Sequence, residues 1–206
     1  LTSLAFVNGN PAMSYYDYNS GELKYVRASD TSGTSWGTPV TVDNSTNDVG
    51  TWTSLAIVNG KPAISYYDGV NGNLKYVRAS DTSGTSWGTP ATVDSYGVVG
   101  RYTSLVVANG NAAISYIDAT NGDLKWAIIV PAPPTVTDAN IAISGASGTG
   151  GAFKMGDTVT ATWNNTAGGD NNTNTISTVT VDFSQFGGGA AVAASNSANT
   201  WTATYT

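Results

Sequence analysis

Along the first 130 residues, apolar and polar positions alternate in short runs, and the runs return in the same order three times. Thr2-Ser3-Leu4 recurs as Thr53-Ser54-Leu55 and again as Thr103-Ser104-Leu105, spacings of 51 and 50 residues. Each TSL opens an apolar run, an Asn-Gly pair follows, and a second run reads AMSYYD, AISYYD or AISYID. A Gly-containing turn then leads to LKY, LKY or LKW. Copies one and two continue through LKYVRASDTSGTSWGTP, seventeen residues identical at 23–39 and 74–90, and end in PVTVD and PATVD. Copy three stops after Leu124-Lys125-Trp126 and runs into AIIVPAPP.

Alternation with a period of two and enrichment in β-branched and aromatic residues predict strands. No window carries sustained helical periodicity. In the second copy the expected strands lie near 54–58, 63–67, 74–79 and 91–93, with Asn59-Gly60 and Asn71-Gly72 supplying the positive φ of tight hairpins. Four short antiparallel strands per ~40–50 residues is the period of a β-propeller blade. Large side chains on both strand faces fit a blade covered by neighbours on each side: Ile64 and Tyr66 point one way, Ala63, Ser65 and Tyr67 the other. A solenoid of stacked hairpins is the competing arrangement, and short strands with irregular connections favour the propeller. Propellers close with roughly 4–8 blades, and this chain holds about two and a half repeats. Further blades upstream, or several chains per ring, are therefore expected.

From Pro131 the pattern changes, which predicts two domains, 1–130 and 131–206. PAPP reads as a stiff linker. Beyond it, Ile141-Ile143, Val159-Ala161-Trp163, Val179-Val181-Phe183 and Trp201-Ala203-Tyr205 alternate as half-buried sandwich strands do, with a turn at Gly156-Asp157. The fold expected is all-β, a partial β-propeller followed by an Ig-like β-sandwich. The first repeat lacks the aromatic that precedes TSL elsewhere (Trp52, Tyr102), and the last strand leaves no room for an edge partner. Both ends are thus expected to be cut, and with no starting Met or leader the chain reads as a processed product or segment.

Composition narrows the chemistry. With no Cys and no His, Ser-His-Asp and Cys-His nucleophiles and His/Cys zinc sites are excluded, leaving carboxylate or tyrosine chemistry and oxygen-ligated metals. A net charge of −6 with eight scattered basic residues argues against nucleic acid. No apolar run nears the ~18 residues that span a membrane. An acidic, Cys-free, Thr/Asn/Gly-rich β chain is associated with exported bacterial surface proteins.

The repeated loop resembles a family signature. SDTSGTSW is similar to the Asp-box, S/T-x-D-x-G-x-T-W, of sialidase-like propellers: Ser29, Gly33, Ser35 and Trp36 match, as do Ser80, Gly84, Ser86 and Trp87, while Asp30 and Asp81 are displaced by one position. The resemblance implies a propeller fold over about 1–130 and a structural role for the box. GDTVTATW and the strand pattern after Pro134 resemble bacterial Ig-like modules of large surface proteins and adhesins.

Sialidases resemble the first domain in fold and use three Arg, a Tyr–Glu pair and an Asp. Here Arg27 and Arg78 are repeat-equivalent, Arg101 is the third, and the only Glu is Glu22, whose equivalents are Asn73 and Asp123. No catalytic residue is assigned. Asp17, Asp68 and Asp118 stand four residues before a Gly in each copy, and together with Asp30, Asp81, Asp43 and Asp94 they are expected to accept backbone amides in turns. Trp36 and Trp87 are placed with these structural turns. The candidate ligand-contact aromatics are Tyr25, Tyr76 and Trp126 at one repeat position and Trp52 and Tyr102 at another, because ring faces stack on sugar C–H surfaces. Tyr15, Tyr66 and Tyr116 share a further position, and packing between repeats competes with binding for all of them. GGDNNTNT at 168–175 is a polar loop in which Asp170 is a weak Ca²⁺ candidate against an ordinary solvated loop; no other cofactor is expected.

The function expected is non-catalytic recognition or adhesion, extracellular or at the cell surface. The propeller would bind a glycan or surface protein, and the Ig-like module would act as spacer. One alternative is a structural subunit of an extracellular fibre or sheath that pairs with other copies of itself through open edges. Another is a glycosidase with its active residues in missing blades.

Overall fold

The computed structural model describes residues 1–130, 133–172 and 176–206. It is all-β: small antiparallel sheets, none closed on itself. The chain divides into two compact units, Leu1–Val130 and Pro131–Thr206.

The first unit holds three sheets, one per repeat. β1 (Thr2–Val7), β2 (Asn10–Asp17), β3 (Glu22–Arg27) and β4 (Val40–Asp43) form the first, in that order. β5 (Val49–Val58), β6 (Lys61–Asp68), β7 (Asn73–Arg78) and β8 (Ala91–Asp94) form the second. β9 (Val99–Ala108), β10 (Asn111–Asp118) and β11 (Asp123–Ile129) form the third, which has no fourth strand among the described residues. Asn8, Asn59 and Asn109 all carry positive φ at the first hairpin turn, the conformation Asn-Gly favours.

The strands alternate across two buried faces. Val7, Ala12, Leu23, Tyr25 and Val42 of the first sheet pack on Val49, Leu55, Ile64, Tyr66 and Val77 of the second. Val58, Ala63, Leu74 and Tyr76 on the opposite face of the second sheet pack on Val99, Leu105, Ala112, Ile114 and Tyr116 of the third. The two interfaces are therefore the same interface made twice. Close approach is set by Gly50 and its equivalent Gly100: a Cβ there would fall 2.7 Å from Leu23 Cα and 2.6 Å from Leu74 Cα.

A buried polar contact ties each repeat to the next. The Tyr66 hydroxyl donates to Asp43 at the end of β4 (2.6 Å), and Lys75 Nζ approaches the same oxygen at 2.5 Å. Tyr116 and Lys125 repeat this on Asp94 at the end of β8, at 2.8 and 2.5 Å. Burial alone would raise the Asp43 carboxyl, but Lys75, Tyr66 and Ser45 outweigh it and hold the group below the ordinary range. Hydroxyl pairs Ser14–Thr53 and Ser65–Thr103, and the amides of Leu55 and Leu105 donating to Ser3 and Ser54, complete the set. Asp43 and Asp94 were expected only to brace turns. Each does accept the amide two residues on, from Ser45 and Tyr96, but its other oxygen reaches into the neighbouring repeat.

In the second unit, β12 (Ile141–Ser144), β13 (Val159–Asn164), β17 (Thr200–Tyr205) and β16 (Ser195–Ser197) form one sheet in that order. β14 (Thr180–Val181) pairs with β15 (Val192–Ala193). Val159, Ala161, Phe183 and Ala203 form its core. The strand expected through Phe183 stops at Val181, because Phe183 leads into a tight turn where its carbonyl accepts the amides of Phe186 and Gly188. Residues 131–132 of the proline linker lie outside the described residues.

Position in the stack, and not side-chain type, should set the cost of truncation. Leu55 is 6 % exposed and its repeat equivalent Leu4 is 63 % exposed. Leu55→Ala should cost about 2–5 kcal/mol in urea unfolding, and Leu4→Ala no more than about 0.5 kcal/mol. Asp43→Ala strands a buried ammonium and phenol and should cost about 3–5 kcal/mol. Asp94→Ala should cost less, because the Lys125 side chain is 33 % exposed against 9 % for Lys75.

Candidate functional site

The duplicated loop is built on one carboxylate. Asp30 accepts the amides of Ser32, Thr34 and Ser35 at 2.9, 3.1 and 2.8 Å and the Thr34 hydroxyl at 3.0 Å. Asp81 accepts the amides of Ser83, Gly84, Thr85 and Ser86 at 2.6–3.3 Å and the Thr85 hydroxyl at 3.0 Å. Burial alone would raise the Asp81 carboxyl, yet these donors hold it down at about 2. Trp36 and Trp87 close the loops, each indole N–H donating to a carbonyl three residues back, Gly33 or Gly84, at 2.9 Å. Asp17, Asp68 and Asp118 likewise accept the amide two residues on, from Asn19, Val70 and Thr120.

The second loop also reaches back to the first repeat, a contact invisible in the sequence. The Tyr25 hydroxyl donates to the Ser83 carbonyl at 3.0 Å, the Tyr25 ring lies 5.2 Å from Trp87, and Asn8 Nδ2 donates to the Thr82 carbonyl at 3.0 Å. Tyr25 is thereby buried, and Tyr76 is buried in the apolar cluster it forms with the third sheet. These two of the five candidate aromatics have no ring face open to a ligand, because the next repeat covers them. Trp126, at the same repeat position, is 69 % exposed on the outer face of the third sheet.

Trp52 and Tyr102 come together. On β5, Thr51 faces Tyr67 and Ser54 faces Ser65, so Trp52 and Thr53 both oppose Tyr66 and make a bulge. Tyr102 and Thr103 oppose Tyr116 on β9 in the same way. Trp52 has φ 49° and Tyr102 φ 56°, a left-handed backbone that bulky residues rarely adopt. Their ring centroids are 5.1 Å apart, and Tyr67 meets Trp52 edge-on at 5.3 Å. The Arg101 guanidinium lies 5.6 Å from the Trp52 and Tyr67 rings, and its buried Nε has no partner among the described residues. Beside them runs a groove of about 280 Å³ lined by Leu1, Thr2, Trp52, Thr53, Tyr102 and Thr103, with Leu1 in the repeat position of the two aromatics.

The other charged groups do not gather here. Arg27 donates to the carbonyls of Val7 and Asn8, and Glu22 pairs with Lys24 at 2.5 Å. Chemically, the bulge groove presents aromatic rings and threonine side chains, with the Arg101 guanidinium packed on the Trp52 and Tyr67 rings behind it.

In the second unit Asp170 is a latch. Its carboxylate accepts the Thr137 amide and hydroxyl at 3.0 and 2.6 Å, Asn140 Nδ2 at 2.8 Å and the Trp163 indole N–H at 2.6 Å. Those donors hold its pKa well below the ordinary range, and each carboxylate oxygen accepts two bonds. The rest of the polar loop, 173–175, lies outside the described residues. A cavity of about 450 Å³ in this unit is lined by Ile141, Ile143, Trp163, Val179, Val181 and Trp201 among others.

No protein-family model matches the sequence, and no curated protein does either.

The folded Asp81 pKa lies below the ordinary Asp value. Its stabilisation is complete above about pH 4 and is lost as pH falls through about 2. The urea midpoint of the first unit should fall across that window, and Asp81→Asn should flatten part of the fall. An identical acid profile for the variant would remove Asp81 as its source.

Proposed function

We propose that the first unit is a non-catalytic recognition module of a secreted or cell-surface protein, part of a β-propeller with Asp-box-like turns, and that it binds glycans along the bulge groove. The second unit is an Ig-like spacer. One observation carries the reading: two large aromatics are held side by side, at strained φ, on an exposed bulge. Tyr102 is 66 % exposed, so burial does not explain why an aromatic is kept where Asn or Gly would fit the backbone with less strain. Such strain costs of order 1–3 kcal/mol per residue and clusters at ligand clamps. A pyranose could lay its C–H face on the rings and direct hydroxyls, or a carboxylate, to Arg101. Repetition of the bulge along stacked repeats would suit an extended chain of sugars more than a single unit.

Tyr102→Asn separates binding from folding, because Asn accepts the left-handed backbone more readily. On a glycan array the full chain should retain a subset of glycans and the variant should lose at least tenfold in retention, with a thermal midpoint no lower than the parent's. Retention of no glycan by the parent, or equal retention by the variant, would overturn the reading.

A further inference from the structure

The face of the first sheet that points away from the second repeat carries Leu4 and Tyr15, whose equivalents Leu55, Leu105, Tyr66 and Tyr116 are buried. Leu4 is 63 % exposed there, beside Phe6 at 64 %. The Tyr15 hydroxyl and Lys24 Nζ occupy the positions of Tyr66 and Lys75, and of Tyr116 and Lys125, yet among the described residues no Asp from another repeat reaches them. Lys24 is held instead by Glu22 of its own hairpin and by Thr41, partly exposed contacts of little net worth.

The first loop is unfilled in the same sense. Trp87 packs on Tyr25, while Trp36, identical in sequence context, is 38 % exposed with no tyrosine against it among the described residues. The carbonyls of Thr82 and Ser83 take Asn8 and Tyr25, whereas the equivalent carbonyls of Thr31 and Ser32 carry no such bond among the described residues. Thr53 and Thr103 pair with Ser14 and Ser65, and Thr2, at the same position, has no such serine.

We infer that this face of the first sheet docks another four-stranded repeat of the same kind, which places the carboxylate ending its fourth strand on Tyr15 and Lys24 and a tyrosine under Trp36. The two interfaces inside the chain are the template, and the proposed one continues them. A second copy of this chain does not fit as occupant. Its exposed outer face belongs to the third sheet, which presents Trp126 and Leu124 but has no fourth strand and so no Asp to offer. The inference stands apart from what the bulge groove binds.

The experiment places one additional copy of residues 1–51 ahead of Leu1 in the full chain, preserving the 51-residue register. The extended chain should unfold the repeats in one cooperative transition with a higher urea midpoint than the parent. Tyr15→Phe should leave the parent's midpoint unchanged but lower that of the extended chain as much as Tyr66→Phe does. Asp43→Asn in the added copy alone should abolish the Tyr15→Phe effect. Three results would overturn the inference: an added copy that melts separately or prevents cooperative folding; a Tyr15→Phe shift of equal size in both chains; or self-association of the parent in sedimentation that Tyr15→Phe dissolves, which would make a second copy the occupant.

Discussion

The carboxylate at the end of each fourth strand organises the first unit. Asp43 and Asp94 stand at a sheet edge, and each joins three groups: a turn amide of its own repeat and the phenol and ammonium of the next. An uncompensated charge in this position would be costly, and so would a buried lysine without a partner. The contact is satisfied only when sheets stack in one alignment, since sliding one sheet along its strands by a residue, about 3.3 Å, would carry Tyr66 and Lys75 out of hydrogen-bond reach of Asp43. Apolar burial supplies the attraction between sheets, and the ion pair with its hydroxyl fixes how they meet.

That constraint explains why seventeen residues are duplicated unchanged although their surroundings differ. Asp81 and Asp30 fold their loops by equivalent bonds, save that Asp81 also accepts the Gly84 amide, so each loop is a self-contained object. What varies is the neighbour. Trp87 lies over Tyr25, and Trp36 lies over solvent. Identity of sequence therefore marks the same loop fold and not the same exposure, and in the second repeat that loop clamps the preceding sheet. The third repeat has neither loop nor fourth strand among the described residues, and the outer face of its sheet exposes Leu124 and Trp126.

The repeat, its strands and the hairpin turns were legible because they depend on neighbours in sequence: alternation, Asn-Gly pairs and Asp followed by small residues. The Asp-centred turns were legible for the same reason. Contacts between repeats were not. Asp43 has the look of a turn residue until Tyr66 and Lys75 are placed against it, although a trace exists in the sequence: a Tyr and a Lys recur in each copy that follows a TVD. Tyr25 and Trp126 share a repeat position and are opposite in burial, which no single-copy reading can show. The bulge escaped too, since one extra residue in VGTW or VGRY becomes visible only against the partner strand's register. In the second unit, Asp170 sits in a polar loop by sequence, and its role depends on Thr137 and Asn140 some thirty residues earlier.

The strained aromatics depend on the same stacking. Trp52 and Tyr102 keep left-handed backbones that an isolated strand would relax. Their surroundings oppose relaxation: the Thr103 hydroxyl donates to the Trp52 carbonyl at 2.9 Å, Thr103 pairs with Ser65, and Thr53 pairs with Ser14. Each of these bonds crosses from one repeat to the next. A bulge is thus over-determined only where a preceding sheet supports it, and two rings stand 5.1 Å apart only where two supported bulges are adjacent. The first repeat has Leu1 at this position. The bulge groove is thus a property of the stack and not of a single repeat, and its length should scale with the number of repeats joined through their aspartates.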